Sequence, residues 1–323
     1  MATIPQTPIS DPAAWRADTL IENDGSVHLS DACLDELSSV AAELAANPLP
    51  VEALRIDDVD MPQCAAAMAT VREALVRGIG FAIIDRLPLD TYDEPTAIKL
   101  YWLLISHITQ PVAQKWDGTM VYDVTDTGLD DEPGNGVRSS KTNNGQYYHT
   151  DNAFNLPPDF VSLMCIQPAM TGGTSGLISM QTVFNMLQSE HPNVVPRLYD
   201  RFYFDRQHEH APDDERLAFN PICEPADHGV HIRFSRRLIG FGYELADGGM
   251  DDETEAAIKA FGEILDRPGL GKSFAFERGQ IQIVNNRRLG HRREAYEDWP
   301  EPERKRRLIR IWGRDAGRPF YLG

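Results

Sequence analysis

The sequence is short of cysteine. Its four, Cys33, Cys64, Cys165 and Cys223, lie far apart in 323 residues with no C-x-x-C pair. That pattern indicates neither a thiolate zinc site nor a disulfide framework, and it fits a reducing cytoplasm. Basic residues are also scarce: 31 Lys and Arg against 49 Asp and Glu leave a formal charge of −18. Such a field opposes binding to phosphate backbones and to anionic lipid, so neither nucleic acid nor a membrane is expected as a partner. No apolar run approaches the roughly 18 residues of a membrane span. The first basic residue, Arg16, follows Asp11, which gives no support for a secretion signal. The GIG, GFG and GLG triplets at 78, 240 and 269 lack the third glycine of a dinucleotide fingerprint, and there is no H-E-x-x-H and no P-loop. Ser175 in GGTSG resembles a nucleophile elbow only superficially, because the second flanking glycine comes one position early. The expectation is a soluble, acidic, cytoplasmic globular protein. At this length about 75% of the unfolded surface can be buried without a disulfide or structural metal, so any metal would serve chemistry.

What is present begins with residues 1–30, rich in Pro, Asp and Thr and without periodicity, which read as a surface arm or, failing that, an ordered first strand. Ser30 then caps DACLDELSSVAAELAA, a helix over 31–46 closed by PLP, and a second helix spans 63–76. GFAIIDRLP reads as a buried strand, and a third helix covers 95–107. From about Pro111 strands dominate: PVAQKWDGTMVYDVT, QYYHTDNAF, DFVSLMCIQP, SGLISM, HIRFS, KSFAFERG and QIQIVNN, interrupted by helical stretches at 182–199 and 252–265. No repeat or Gly/Ser linker divides the chain. Helices first and many short strands later predict an antiparallel barrel or sandwich wrapped by N-terminal helices. The predicted organisation is an arm over 1–30 and a single domain over 31–323. Within that domain, 31–110 forms a helical flank and 111–323 a β core with inserts near 182–231 and 244–268.

Chemistry concentrates in Tyr147-Tyr148-His149-Thr150-Asp151. On a strand, residues i and i+2 leave the same face, so His149 and Asp151 can reach one metal ion. In a chain with this many acids, one or two His-x-acid pairs arise by chance, and a half-buried hydrogen-bonded pair remains an open reading. The C-terminal text FERGQIQIVNNRRLGHRREAYED, followed by ERKRRLIRIWGR, shifts the balance. It brings a remote imidazole, His291, after a tight turn. Two histidines and one carboxylate form the facial triad that leaves positions open on Fe(II), whereas zinc favours a closed site or thiolates. His208 and His210 in QHEHAPDDE, and His228 and His231 in DHGVH, are competing close pairs. The first lies in a polar Pro-Asp stretch that reads as a solvated lid, with mobility expected over 206–231. Tyr147, Tyr148 and Phe154 read as barrel packing with a chance of lining the pocket, and Arg287, Arg288, Arg292 and Arg293 as ion-paired support around the turn.

The order H-T-D, a GG-x-[Ser/Thr] turn about 25 residues on, N-N-x-x-x-x-H and an R-x-x-x-R strand resembles the iron(II)/2-oxoglutarate-dependent oxygenases of the taurine dioxygenase (TauD/TfdA) family. The likeness runs from about Gly80 to Gly323 and is densest at 143–175 and 277–314. It implies a mainly β fold with α: a double-stranded β-helix, or jelly-roll, with N-terminal helices and helical inserts. It implies that His149, Asp151 and His291 are the iron ligands. Arg306 would then meet the distal carboxylate of 2-oxoglutarate, with Thr174 and Ser175 at the position where many members place a threonine. Arg310 would be the second arginine, reaching substrate or cosubstrate. Gln280 departs from the family's usual G-D pair, and the run 304–307 allows a shift of register that would exchange Arg306 and Arg310. Alternation along RRLIRIW puts Arg306, Leu308 and Arg310 on one face and Arg307, Ile309 and Ile311 on the other. Asp151 itself argues against a chloride-binding halogenase, which would need a small residue there.

The function this implies is an Fe(II)-, 2-oxoglutarate- and O2-dependent dioxygenase that hydroxylates an unactivated C–H bond of a small polar metabolite, an amino acid or natural-product intermediate. Desaturation, cyclisation or epoxidation are alternatives at the same centre. From other classes come a non-catalytic jelly-roll binding protein that keeps the site as a relic, and a zinc hydrolase with no role for Arg306.

Overall fold

The computed structural model describes residues 4–227, 229–246 and 248–322. Three helices come first: α1 (Asp31–Ala46), α2 (Pro62–Val76) and α3 (Glu94–Ser106). Their starts follow from local chemistry. Ser30 accepts from the Cys33 amide and Asp93 from the Thr96 amide, while Pro62 fills the first position of α2. Their apolar faces pack on one side of the larger of two sheets, with Leu37, Leu75, Leu103, Ile281, Ile309 and Ile311 in one buried cluster.

That sheet runs in the order β1 (Ser26–Val27), β2 (Phe81–Ile84), β14 (Ile281–Asn285), β6 (Phe160–Gln167), β17 (Arg307–Arg314) and β3 (Gln110–Val112), with β4 (Val121–Val124) also on β17. The second sheet has the order β13 (Lys272–Phe274), β8 (Ser175–Ser179), β15 (Leu289–Arg293) and β5 (Gln146–His149). Smaller pairs join β7 (Thr171–Gly172) to β16 (Tyr296–Glu297), β9 (Arg201–Asp205) to β10 (Leu217–Pro221), and β11 (Cys223–Ala226) to β12 (Gly229–Ile232). The main cavity is lined from both sheets, by Val124, Leu163 and Leu308 of the larger and by His149, Ser175 and His291 of the smaller. The architecture is the jelly-roll expected from the sequence.

Three further helices close one side: α4 (Met180–Glu190), α5 (Arg236–Leu245) and α6 (Asp252–Leu265). The helix predicted over 182–199 stops at Glu190, because Pro192 disfavours helical geometry at the residue before it and the chain continues as short 3₁₀ turns. Helix α5 had no sequence expectation. Its GFG triplet reads in sequence only as an incomplete dinucleotide signal; a Cβ at Gly242 would come 2.6 Å from the Tyr203 carbonyl, so glycine is what lets α5 lie against β9.

Two sequence readings change. Cys33 and Cys64, on α1 and α2 with Cα atoms 4.9 Å apart, are paired as a disulfide, although no disulfide was indicated by spacing. Thirty-one residues of separation conceal a contact that helix packing creates, and the cysteine argument for a reducing compartment falls with it. The N-terminal segment, read as an arm, is fastened along its length. Ile9 exchanges hydrogen bonds with Asn185, Asp11 pairs with Arg288, Trp15 is buried with its indole N–H on the Ile79 carbonyl, and β1 adds to β2 in parallel.

Candidate active site

Strand β5 ends at His149 and the chain turns at once through Thr150 to Asn155, so His149 and Asp151 leave the rim of the smaller sheet together. The turn is held from three directions. Asn286 is fully buried; its Oδ1 accepts from the Asp151 amide at 2.7 Å and its Nδ2 donates to the Asp151 and Pro158 carbonyls at 3.1 Å. The Thr150 amide donates to the Phe234 carbonyl, and Thr150 Oγ1 accepts from the Phe234 amide. Asn152 sits at φ 53°, a left-handed conformation that asparagine tolerates better than most residues. The second asparagine of the NN turn therefore serves to fix the acid of the H-x-D pair.

His291 lies directly across from His149 in the β5–β15 pairing. Asp151 Oδ1 lies 3.5 Å from His149 Nε2 and 3.5 Å from His291 Nε2, and the three donor atoms fall within 4.8 Å of one another. Among the described residues this is the one group of three or more such side chains placed to hold a metal ion. The donor set fits iron(II), with two imidazoles, one carboxylate and no thiolate. His149 Nδ1–H donates to the Tyr147 carbonyl at 2.9 Å, which fixes the tautomer that leaves Nε2 free to ligate. Asp151 Oδ2 accepts from Arg310 Nη1 at 3.0 Å and from the Trp312 indole at 2.8 Å, so one oxygen is held by protein while Oδ1 faces the imidazoles. Burial alone would raise the Asp151 pKa, but Arg310, assisted by the two histidines, holds it well below the usual carboxylate range. Burial, with His149 nearby, lowers that of His291. At neutral pH the acid is ionised and His291 is neutral, the protonation states a divalent cation needs.

The arginines divide by their partners. Arg306, Leu308 and Arg310 line the same cavity, as the alternation of the strand predicts, while Arg307 points away to Asp123 and Glu94. Arg310 is committed to Asp151 and, through Nε, to Gln114 Oε1 at 2.7 Å. Arg306 is equally buried, yet its guanidinium meets no carboxylate; Nη1 has no partner and the Tyr296 ring lies 5.0 Å away. Of the two, Arg306 is free to receive an anion. The GG turn explains itself here. Gly172 and Gly173 both take positive φ, and a Cβ on Gly173 would come 3.2 Å from Arg306 Nε. Ser175 lines the cavity and donates to Gln282 Oε1 at 2.9 Å; Thr174 follows the two glycines without lining it. Gln280, in place of an acid, accepts from the Glu277 amide through its side chain and closes the turn before β14.

Tyr147, Tyr148 and Phe154 all line the cavity, Tyr147 exposed and the other two buried. Of the basic run, Arg287 pairs with Glu224 and Arg288 with Asp11, Arg292 lies 4.0 Å from Glu294, and Arg293 pairs with no acid. Trp312, Gln114, Asn286 and Arg138 complete the site and were not singled out from sequence. Only the R-x-x-x-R alternation, continued by two residues, would have pointed to Trp312.

The segment read as a mobile lid over 206–231 divides between a loop at 206–216 and paired strand at 217–221, 223–226 and 229–231. His228 lies outside the described residues. His208 and His210 sit in the loop with ring centres 6.3 Å apart and with no acid completing a site among the described residues. The loop is anchored by buried Arg206, which donates to Asn155 Oδ1 and to Asp214 Oδ2, and Gln207, at φ 49°, borders the cavity. Replacing Arg206 with alanine removes charge-assisted bonds worth about 1.5–3 kcal/mol each. Amide exchange across 206–216 is then expected to quicken at least about tenfold. Unchanged exchange would mean that the loop is held by something else.

Comparison with known proteins agrees with this geometry. Residues 44–312 match the profile of the family described as "Taurine catabolism dioxygenase TauD, TfdA family". FR-33289 synthase of Streptomyces rubellomurinus is 25% identical across 99% of this chain and 94% of its own length. A structure of asparagine oxygenase with Fe(II), 2S,3S-3-hydroxyasparagine and succinate superposes with a TM-score of 0.64 at 18% identity, over 90% of this chain and 93% of that one. The non-heme iron oxygenase OrfP with Fe and alpha-ketoglutaric acid gives 0.65 at 17% identity, over 90% and 94%.

Proposed function

The chain belongs to the TauD/TfdA family of dioxygenases, and on that premise we propose that it hydroxylates a small amino acid or an amino-acid-derived intermediate. His149, Asp151 and His291 are the proposed iron ligands, and Arg306 the proposed anchor of 2-oxoglutarate. The enzyme is a non-haem iron(II)- and 2-oxoglutarate-dependent dioxygenase. Bound together, iron(II) and 2-oxoglutarate supply the oxidising power that places one oxygen atom of O2 into a C–H bond while 2-oxoglutarate becomes succinate and CO2. The observation that carries the reading is the convergence of two imidazole nitrogens and one ionised carboxylate oxygen in a cavity that also holds a buried arginine, Arg306, with an unpartnered Nη1 and no carboxylate in contact.

This chain's own residues do the rest. Asn286 and Thr150 hold the Asp151 turn and with it the spacing of the three donor atoms. Arg310 and Trp312 keep Asp151 ionised and aim Oδ1. Arg306, which lines the cavity as Ser175 does, offers the paired N–H donors that match a carboxylate. The mouth, bordered by Tyr147, Gln207 and the first turn of α5, is where a substrate would enter and exclude water. A substrate class of amino acids is supported by the asparagine and arginine derivatives bound in the superposable oxygenases. No described helix is long and apolar enough to cross a membrane. A cytoplasmic location belongs to the same reading, since 2-oxoglutarate is a metabolite of that compartment. The test is substrate-stimulated succinate formation from 2-oxoglutarate across a library of amino acids and amino-acid-derived intermediates. One or a few members should stimulate it above the uncoupled rate. No stimulation by any amino-acid-derived compound, with stimulation by another class, would overturn the substrate assignment.

A further inference from the structure

Of the four buried arginines that line the cavity, two have a carboxylate in contact: Arg310 has Asp151 and Arg138 has Glu209. Arg306 and Arg293 have none. Both are at least nine-tenths buried, both line the cavity, and they flank the same aromatic ring, with guanidinium carbons 4.9 Å (Arg293) and 5.0 Å (Arg306) from the centre of Tyr296. Arg293 follows His291 by two residues on β15, so it leaves the same face of the strand and enters the cavity beside it. Its Nη2 donates to the carbonyls of Thr142 and Asn144, but Nε and Nη1 have no partner, and neither does Nη1 of Arg306. Two buried like charges with orphaned donors and no counter-ion are unfavourable in a folded chain unless an anion joins them.

We propose that Arg293 and Arg306 act as a pair on the distal carboxylate of 2-oxoglutarate, Arg293 supplying the second cation of that subsite. This rests on the cosubstrate reading above and adds a residue to it. A carboxylate between two guanidiniums satisfies the orphaned N–H groups of both, and Tyr296, packed against each, keeps them from separating. Arg293 is thus a binding residue for the cosubstrate as well as a brace for the 142–144 backbone. A purely structural arginine would need only the bonds from Nη2.

The two roles give different signatures in thermal unfolding of the Mn(II)-loaded protein, which binds without turning over. The probes are 2-oxoglutarate and 2-oxobutyrate, which chelates a metal through the same 2-oxo acid but has no distal carboxylate. In the wild type, 2-oxoglutarate should raise Tm well beyond 2-oxobutyrate. In Arg293→Gln the extra gain should need about tenfold more 2-oxoglutarate, while the response to 2-oxobutyrate stays at its wild-type level. Arg293→Lys, which keeps the charge and covers the case that the glutamine variant fails to fold, should fall between them. A full wild-type gain in either variant would overturn the proposal, as would an equal loss for both ligands, which would mark Arg293 as structural alone. If the wild type shows no gain specific to 2-oxoglutarate, the cosubstrate reading itself fails and the pair falls with it. If the gain survives in Arg293→Gln but vanishes in Arg306→Gln, only the pairing is wrong.

Discussion

Asp151→Ala is expected to lose both metal binding and turnover, with activity down by more than the roughly 10–100-fold seen when an outer partner of a metal ligand is removed. The structure makes this the most sensitive position in the chain, because Asp151 has two jobs. Its Oδ1 completes the donor set with His149 and His291, and its Oδ2 is, among the described residues, the only carboxylate oxygen in contact with Arg310. Truncation therefore also strands a buried guanidinium, a change that costs about 3–5 kcal/mol. The expected signature is combined: no Fe(II)-dependent succinate, and a clear fall in Tm of the metal-free protein. His291→Ala should abolish turnover with a smaller fall in Tm, since its Nδ1 has no partner to lose. Near wild-type turnover in Asp151→Ala without added carboxylate or chloride would contradict the ligand assignment.

The second large effect separates Arg310 of β17 from Arg306, the residue that precedes the strand. Arg306→Ala should raise the 2-oxoglutarate concentration needed for half-maximal rate by one to two orders of magnitude, consistent with about 1.5–3 kcal/mol for charged hydrogen bonds. Arg310→Ala should act mainly on kcat and on coupling of succinate to product, because Arg310 is bound to Asp151 and Gln114 and reaches the chemistry through them. The opposite pattern, with Arg310 controlling 2-oxoglutarate and Arg306 nearly silent, would mean that the register is shifted by four residues. The positions of their partners argue against that shift.

The parts of the fold written in local chemistry were legible. Helix α1 runs over the residues its periodicity and Ser30 cap predict, and α6 matches its expected span from 252 to 265. His149, Asp151 and His291 converge as the two-residue spacing and the remote histidine suggested, and β17 places Arg306, Leu308 and Arg310 on one wall. What could not be read depends on contacts between distant segments. The Cys33–Cys64 pair exists because α1 lies on α2. Helix α5 hides behind two glycines, of which Gly242 permits close packing on β9. Trp312 acquires meaning only when β17 is seen to pass beneath Asp151. Arg293 was grouped with its ion-paired neighbours because a sequence shows how many acids are available, not which arginine they fail to reach. Only the first part of the expected lid is loop, because Leu217–Pro221 pairs with Arg201–Asp205 across a polar stretch that dominates the local composition.

The account stands or falls on whether His149, Asp151 and His291 form one iron site that 2-oxoglutarate completes. Anaerobic calorimetric titration of the metal-free protein with Fe(II), with and without 2-oxoglutarate, tests this most directly. The account predicts one Fe(II) per chain, tighter binding with 2-oxoglutarate present, and loss of the site in His149→Ala and His291→Ala. Wild-type affinity and stoichiometry in either histidine variant, or binding indifferent to 2-oxoglutarate, would contradict it.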